Sequence, residues 1–162
     1  MSGLAQARAL AVLVPAALLA AAYGSEILWG LYPCEMCWWQ RYAHFAALAF
    51  ALLSIALRGQ PDRGRSFVWL AALAILVSGL IGGYHAGVEA QIFEGFNTCS
   101  STAKGSSPEQ ILAAILKAPI TRCDQIQWSM LGISMAGWNA IVSIGFVILI
   151  GWLSLRRPKP LP

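Results

Sequence analysis

Charge is scarce in this chain: 11% of its 162 residues are Asp, Glu, Lys or Arg, against 58% that are apolar. Mean hydropathy is +0.64, far from that of soluble domains. The chain has no room for a separate soluble catalytic domain beside its apolar segments. Basic residues exceed acidic ones, giving a net charge of +4. They stand singly or in small groups with no stacking aromatics between them, which argues against a nucleic acid partner. These deficits describe a single integral membrane domain, residues 1–162, of the all-α class, in which helices satisfy their own backbone polar groups.

A hydrocarbon layer of ~30 Å takes ~20 helical residues to cross. Apolar runs at about 9–27, 38–57, 66–87 and 133–155 predict a four-transmembrane-helix bundle. The connections are outer loops at about 28–37 and 88–132 and an inner loop at 58–65. Arg8, Arg58, Arg63, Arg65, Arg156, Arg157 and Lys159 fall on one side; Arg41, Lys104, Lys117 and Arg122 fall on the other. Lys and Arg are retained on the cytoplasmic face, so both termini are expected there. Of the acidic residues only Asp62 shares that side. A cleaved leader ending at "AAAYGS" is the rival reading of the first run, but Ile27, Leu28, Trp29 and Leu31 continue the apolar stretch past it. Pro15 is expected to kink this helix.

No cysteine lies inside a predicted span. Cys34, Cys37, Cys99 and Cys123 all fall on the outer side, whereas small apolar fillers would be scattered through the helices. A compartment outside the cytoplasm permits disulfides. Structural zinc, inert disulfide staples and redox exchange compete for these thiols. Zinc prefers two close pairs, and 23 residues separate Cys99 from Cys123; no metal is expected. The ring closed by Cys34 and Cys37 is too small for a useful staple but has the spacing of a redox-active dithiol, so redox exchange is favoured.

After Pro33 the second helix is expected to begin near Cys37, where the helix dipole favours a thiolate. Arg41 follows one turn later on the same face, and its bland alternative is a snorkelling interfacial arginine. Helical rise from the inner loop brings His85 to the same outer level as Arg41. A lone interfacial histidine is more often a packing residue, and His44 is read that way. Cys37, Arg41 and His85 at a lipid-accessible spot suit a flat apolar molecule with carbonyl oxygens, such as a membrane quinone. Trp29, Tyr32, Trp38, Trp39 and Tyr42 fit such a pocket but also an interfacial aromatic belt.

In the second outer loop, "SSPEQILAAILKAP" predicts a short amphipathic helix, with Ser107 as N-cap, Pro108 at its first position and Gln110 completing a capping box. Pro119 ends it. Ile111, Leu112, Ile115 and Leu116 form its apolar stripe, suited to the bilayer surface or to the protein itself. Small residues around Cys99 suit a segment that meets a partner protein.

Taken in order, "PCEMCWWQR", "YHAGVE", the loop cysteines Cys99 and Cys123 and "LGISMAGW" resemble the bacterial inner-membrane DsbB family over nearly the whole chain. The resemblance implies an inner-membrane thiol:quinone oxidoreductase with its redox cysteines on the periplasmic side. It would reoxidise a DsbA-like thioredoxin-fold oxidase and pass the electrons to ubiquinone or menaquinone, as is known for that periplasmic relay. It further implies that Cys99 meets the partner's dithiol, that Cys123 exchanges with Cys34, and that Cys37 faces the quinone beside Arg41 and His85. Glu35 departs from the apolar residues associated with that position, and a carboxylate there opposes thiolate formation. Glu35→Gln is expected to make the dithiol more acidic in a thiol titration. A vitamin K epoxide reductase-like protein, with its CxxC in a later helix, and a non-enzymatic membrane subunit braced by disulfides are the competing readings.

Overall fold

The computed structural model describes residues 2–95, 107–110, 112 and 121–156. Its elements are α1 (Gly3–Trp29), α2 (Glu35–Ala56), α3 (Pro61–Glu89), a hairpin of β1 (Ser129–Met130) and β2 (Ile133–Ser134), and α4 (Met135–Leu155). Among the described residues, α1 to α4 pack as a bundle in which α3 lies along both α2 and α4, and α1 closes the remaining side against the same two. Among the described residues, α1, α4 and residues Asp62–Glu89 of α3 are long and apolar enough to cross a membrane. α2 has 22 residues, but Gln40, Arg41 and His44 interrupt its apolar character.

Capping explains why the helices outrun the apolar runs, because lipid compatibility and helix formation end at different signals. Ser2 Oγ accepts from the Ala5 amide at 3.3 Å, so α1 starts well before its apolar run. It continues through the buried Pro15 and closes on Gly30, whose φ of 65° is the left-handed conformation that glycine adopts without a Cβ penalty. α3 opens with Pro61 at its first position. Ser134 Oγ accepts from the Gly137 amide at 3.1 Å and starts α4. The first two residues of the expected fourth span are instead β2, paired with β1 through a turn at Leu131 and Gly132, both at positive φ.

In lipid the hydrophobic effect does not draw helices together, and small residues that permit close approach do more. The half of the bundle remote from the cysteines is built this way, from Ala7 and Ala11 of α1, Ala47 and Ala51 of α2, and Ala71 and Ala72 of α3, with Ile75 and Ile150 between them. Large apolar residues such as Leu13, Leu52, Leu73, Leu80 and Ile148 point outward. Of the expected loop helix, Pro108–Gln110 and Leu112 are helical, and Ser107 Oγ accepts from the Gln110 amide at 3.3 Å as its cap. The rest of its apolar stripe, and Cys99, lie outside the described residues.

Candidate active site

Local chemistry places the first two thiols. Tyr32 and Pro33 carry the chain from the end of α1 in non-helical conformation, and Cys34 is the N-cap of α2. The helix therefore starts at Glu35 rather than near Cys37, with Glu35 in the first turn where an acid complements the dipole. Cys34 Sγ accepts from the Cys37 amide at 3.4 Å and lies 3.1 Å from Cys37 Sγ. Cys123 comes from the loop before β1 to pack on Cys34, Met36 and Val88. The three described cysteines are free thiols.

A buried polar chain supports them. Gln40 Nε2 donates to Met36 O at 3.1 Å and faces His85 Nδ1 at 3.1 Å. That amide orientation makes His85 Nδ1 an acceptor and leaves the ring proton on Nε2. His85 Nε2 lies 3.6 Å from Cys34 Sγ and 3.8 Å from a Glu89 carboxylate oxygen. His85 thus stands at the Cys34 and Cys37 pair.

Arg41 lines the same cavity as Cys37, but its guanidinium is directed to α1. It pairs with Glu26 at 2.8 Å, donates to Ala22 O at 3.2 Å, and stacks near the rings of Tyr23 and Trp38 at 4.5 and 5.0 Å. Trp38 also stacks on Tyr42 at 5.8 Å, so this part of the expected aromatic cluster braces the arginine.

The thiols titrate apart. Cys34 is pushed strongly up, because its single thiol proton is shared between the Cys123 and Cys37 sulfurs and the group is desolvated. Cys123 is lowered to about 6, chiefly by the hydrogen bond it receives from Cys34. In the reduced protein Cys34 therefore keeps its proton while Cys123 is a thiolate near neutral pH. A low thiol pKa makes a good leaving group in disulfide exchange.

Beneath the cysteines opens a cavity of about 580 Å³, walled by Leu18, Leu19 and Ala22 of α1, by Met135 and Ala136 of α4, and by the polar face of α2. Apolar walls with a few convergent polar groups are the usual form of a small-molecule site, and this volume lies within the usual range. Cys34, Cys37 and His85 also have ligand atoms within 4.8 Å of one another, a set that could hold a thiophilic cation.

Sequence reasoning brought together Cys34, Cys37, Arg41 and His85, and all four line the cavity. It missed Glu26, Gln40, Asn139 and the placement of His44. The signal for two of these was present: Cys37, Gln40, Arg41 and His44 recur at the spacing of one helix face.

The fold and this thiol site define a multi-pass membrane protein of disulfide chemistry. The family model described as disulfide bond formation protein DsbB matches residues 5–153, and the chain belongs to that family. It is 30% identical over 157 residues to a disulfide bond formation protein B of Xanthomonas campestris, covering 93% of this chain and 90% of that one. A protein of the same name from Marinobacter nauticus is 28% identical over 156 residues, covering 93% and 92%. An uncharacterized protein of Rickettsia prowazekii is 29% identical over 144 residues, covering 87% and 81%. No solved structure matches the chain. Membership makes this an oxidoreductase of disulfide formation.

Proposed function

We propose that the protein reoxidises a DsbA-like thioredoxin-fold oxidase on the periplasmic side of the bacterial inner membrane and passes the electrons to ubiquinone or menaquinone. In this reading all four helices span the bilayer and both termini are cytoplasmic. The observation that carries it is the position of Cys34, whose sulfur touches both Cys37 and Cys123 above an apolar cavity.

The exchange balances at each step. A partner thiolate attacks Cys99 of a Cys99–Cys123 disulfide and Cys123 leaves as thiolate; the partner's second thiolate then displaces Cys99. The Cys123 thiolate attacks Cys34 of a Cys34–Cys37 disulfide, expelling Cys37. Cys99 then attacks Cys123, re-forming the loop disulfide and leaving Cys34 and Cys37 reduced. A bound quinone supplies a two-electron, two-proton sink for that dithiol. The residues fit such a group, with apolar walls for the ring and tail and with Cys37, Arg41 and His85 along the polar side. His85 Nε2–H steadies charge on the sulfurs, and the Arg41 guanidinium supplies positive potential where negative charge develops.

The test is anaerobic mixing of the purified protein with a reduced DsbA-type oxidase and a quinone, following quinone absorbance. Quinone loss that vanishes in both Cys34→Ser and Cys99→Ser supports the relay. Loss that survives either substitution contradicts it.

A further inference from the structure

His44 follows Cys37 by two turns on the same face of α2 and lines the cavity. It is 3% exposed. Its Nε2 lies 2.9 Å from Asn139 Oδ1 of α4 and 2.9 Å from Ser78 Oγ of α3. The Asn139 amide nitrogen donates to Gln40 Oε1 at 2.8 Å and to Ser78 O at 3.1 Å, which turns Oδ1 towards His44. Ser143 Oγ also donates to that oxygen at 3.1 Å. The Ser78 hydroxyl proton is given to Gln40 O at 3.1 Å. Both groups that face Nε2 are therefore acceptors, and Nε2 carries the ring proton.

Nδ1 is left with a bare lone pair and has no hydrogen-bond partner among the described residues. A buried acceptor without a donor is costly, yet three helices supply the groups that hold this ring in place.

We propose that His44 Nδ1 is a further polar contact of the quinone site, beyond Cys37, Arg41 and His85, accepting a hydrogen bond from a ring hydroxyl of the reduced, quinol form. The inference rests on the quinone reading above. An oxidised ring presents carbonyl oxygens, which are acceptors and gain nothing from a bare Nδ1. A reduced ring presents hydroxyl donors, which satisfy it. His44 thus distinguishes the two redox forms and draws the equilibrium at the site towards the reduced ring, while Asn139 and Ser78 act as positioning residues that fix the tautomer.

The experiment measures binding directly, by quenching of tryptophan fluorescence, for short-chain ubiquinol and ubiquinone on the purified full chain under anaerobic conditions. His44→Leu is expected to weaken quinol binding about tenfold and quinone binding less than about threefold. His44→Asn, which keeps an acceptor atom at the Nδ1 position, is expected to restore most of the loss. Equal weakening of both forms, or quinol affinity untouched in His44→Leu, overturns the proposal. The wild type supplies a second readout that needs no substitution, because the chain has only two histidines. The ¹⁵N resonance of His44 Nδ1 should move on adding quinol and hold still on adding quinone; the reverse, or no movement, overturns the proposal. Dithiol oxidation by quinone with no dependence of quinol affinity on His44 overturns this inference alone. Quinol bound through His44 without dithiol turnover keeps the contact and overturns the proposed function; binding of neither form overturns both.

Discussion

Arg41 of α2 and Glu26 of α1 are joined by an ion pair of 2.8 Å, with only 6% and 28% of their side chains exposed. The pair ties the end of the first helix to a residue that lines the cavity, and it holds the guanidinium against α1. Removing the acid leaves a desolvated cation without its counter-charge, which is worse than losing both partners.

Glu26→Gln is therefore expected to lower stability by about 1–3 kcal/mol and to raise the quinone KM severalfold with a smaller change in kcat. Thermal unfolding and steady-state kinetics on the purified variant check both. An unchanged KM would show that the arginine needs no orientation from α1.

The reduced protein should respond to pH through Cys123. Its thiol is lowered to about 6 from an ordinary value of 9.0, so folding favours the thiolate. That contribution is fully present above pH 9 and is lost as pH falls through about 6. Thermal stability of the reduced wild type, relative to Cys123→Ser, should rise between those limits. A flat difference would mean that Cys34 does not donate to Cys123. Thiolate absorbance should show the same midpoint near 6.

Close helix approach supplies a sharper stability test. A Cβ on Gly82 of α3 would stand 2.9 Å from Ala136 O and 3.0 Å from Asn139 Nδ2, and backbone in α4 has little freedom to yield. Gly82→Ala should cost about 1–3 kcal/mol. Gly83→Ala, whose added atom meets only Ala140 Cβ at 3.9 Å, should be neutral or slightly stabilising. Equal unfolding midpoints for the two variants would contradict this packing.

The parts of the site that were legible in the sequence are local ones. Cys34, Cys37 and Arg41 sit within two turns of one helix, so spacing alone relates them. His85 was reached by counting helical rise along a second helix. Glu26 and the polar shell of His44 were not legible, because their partners arrive from other helices and leave no periodic trace. His44 shares a helix face with Cys37, Gln40 and Arg41, but only the fold brings Asn139 and Ser78 to its Nε2 and leaves its Nδ1 without a partner among the described residues. The start of α2 was misplaced for a different reason: apolar content marks entry into lipid, whereas the cap at Cys34 marks the start of the helix.

The most direct test of the central claim asks whether Cys34 and Cys123 can bond. In a Cys37→Ser, Cys99→Ser double variant, mild oxidation followed by acid quenching, alkylation and peptide mass spectrometry should find a Cys34–Cys123 disulfide in most molecules. Both thiols recovered alkylated and unpaired would break the route from the loop cysteines to the cavity and contradict the account.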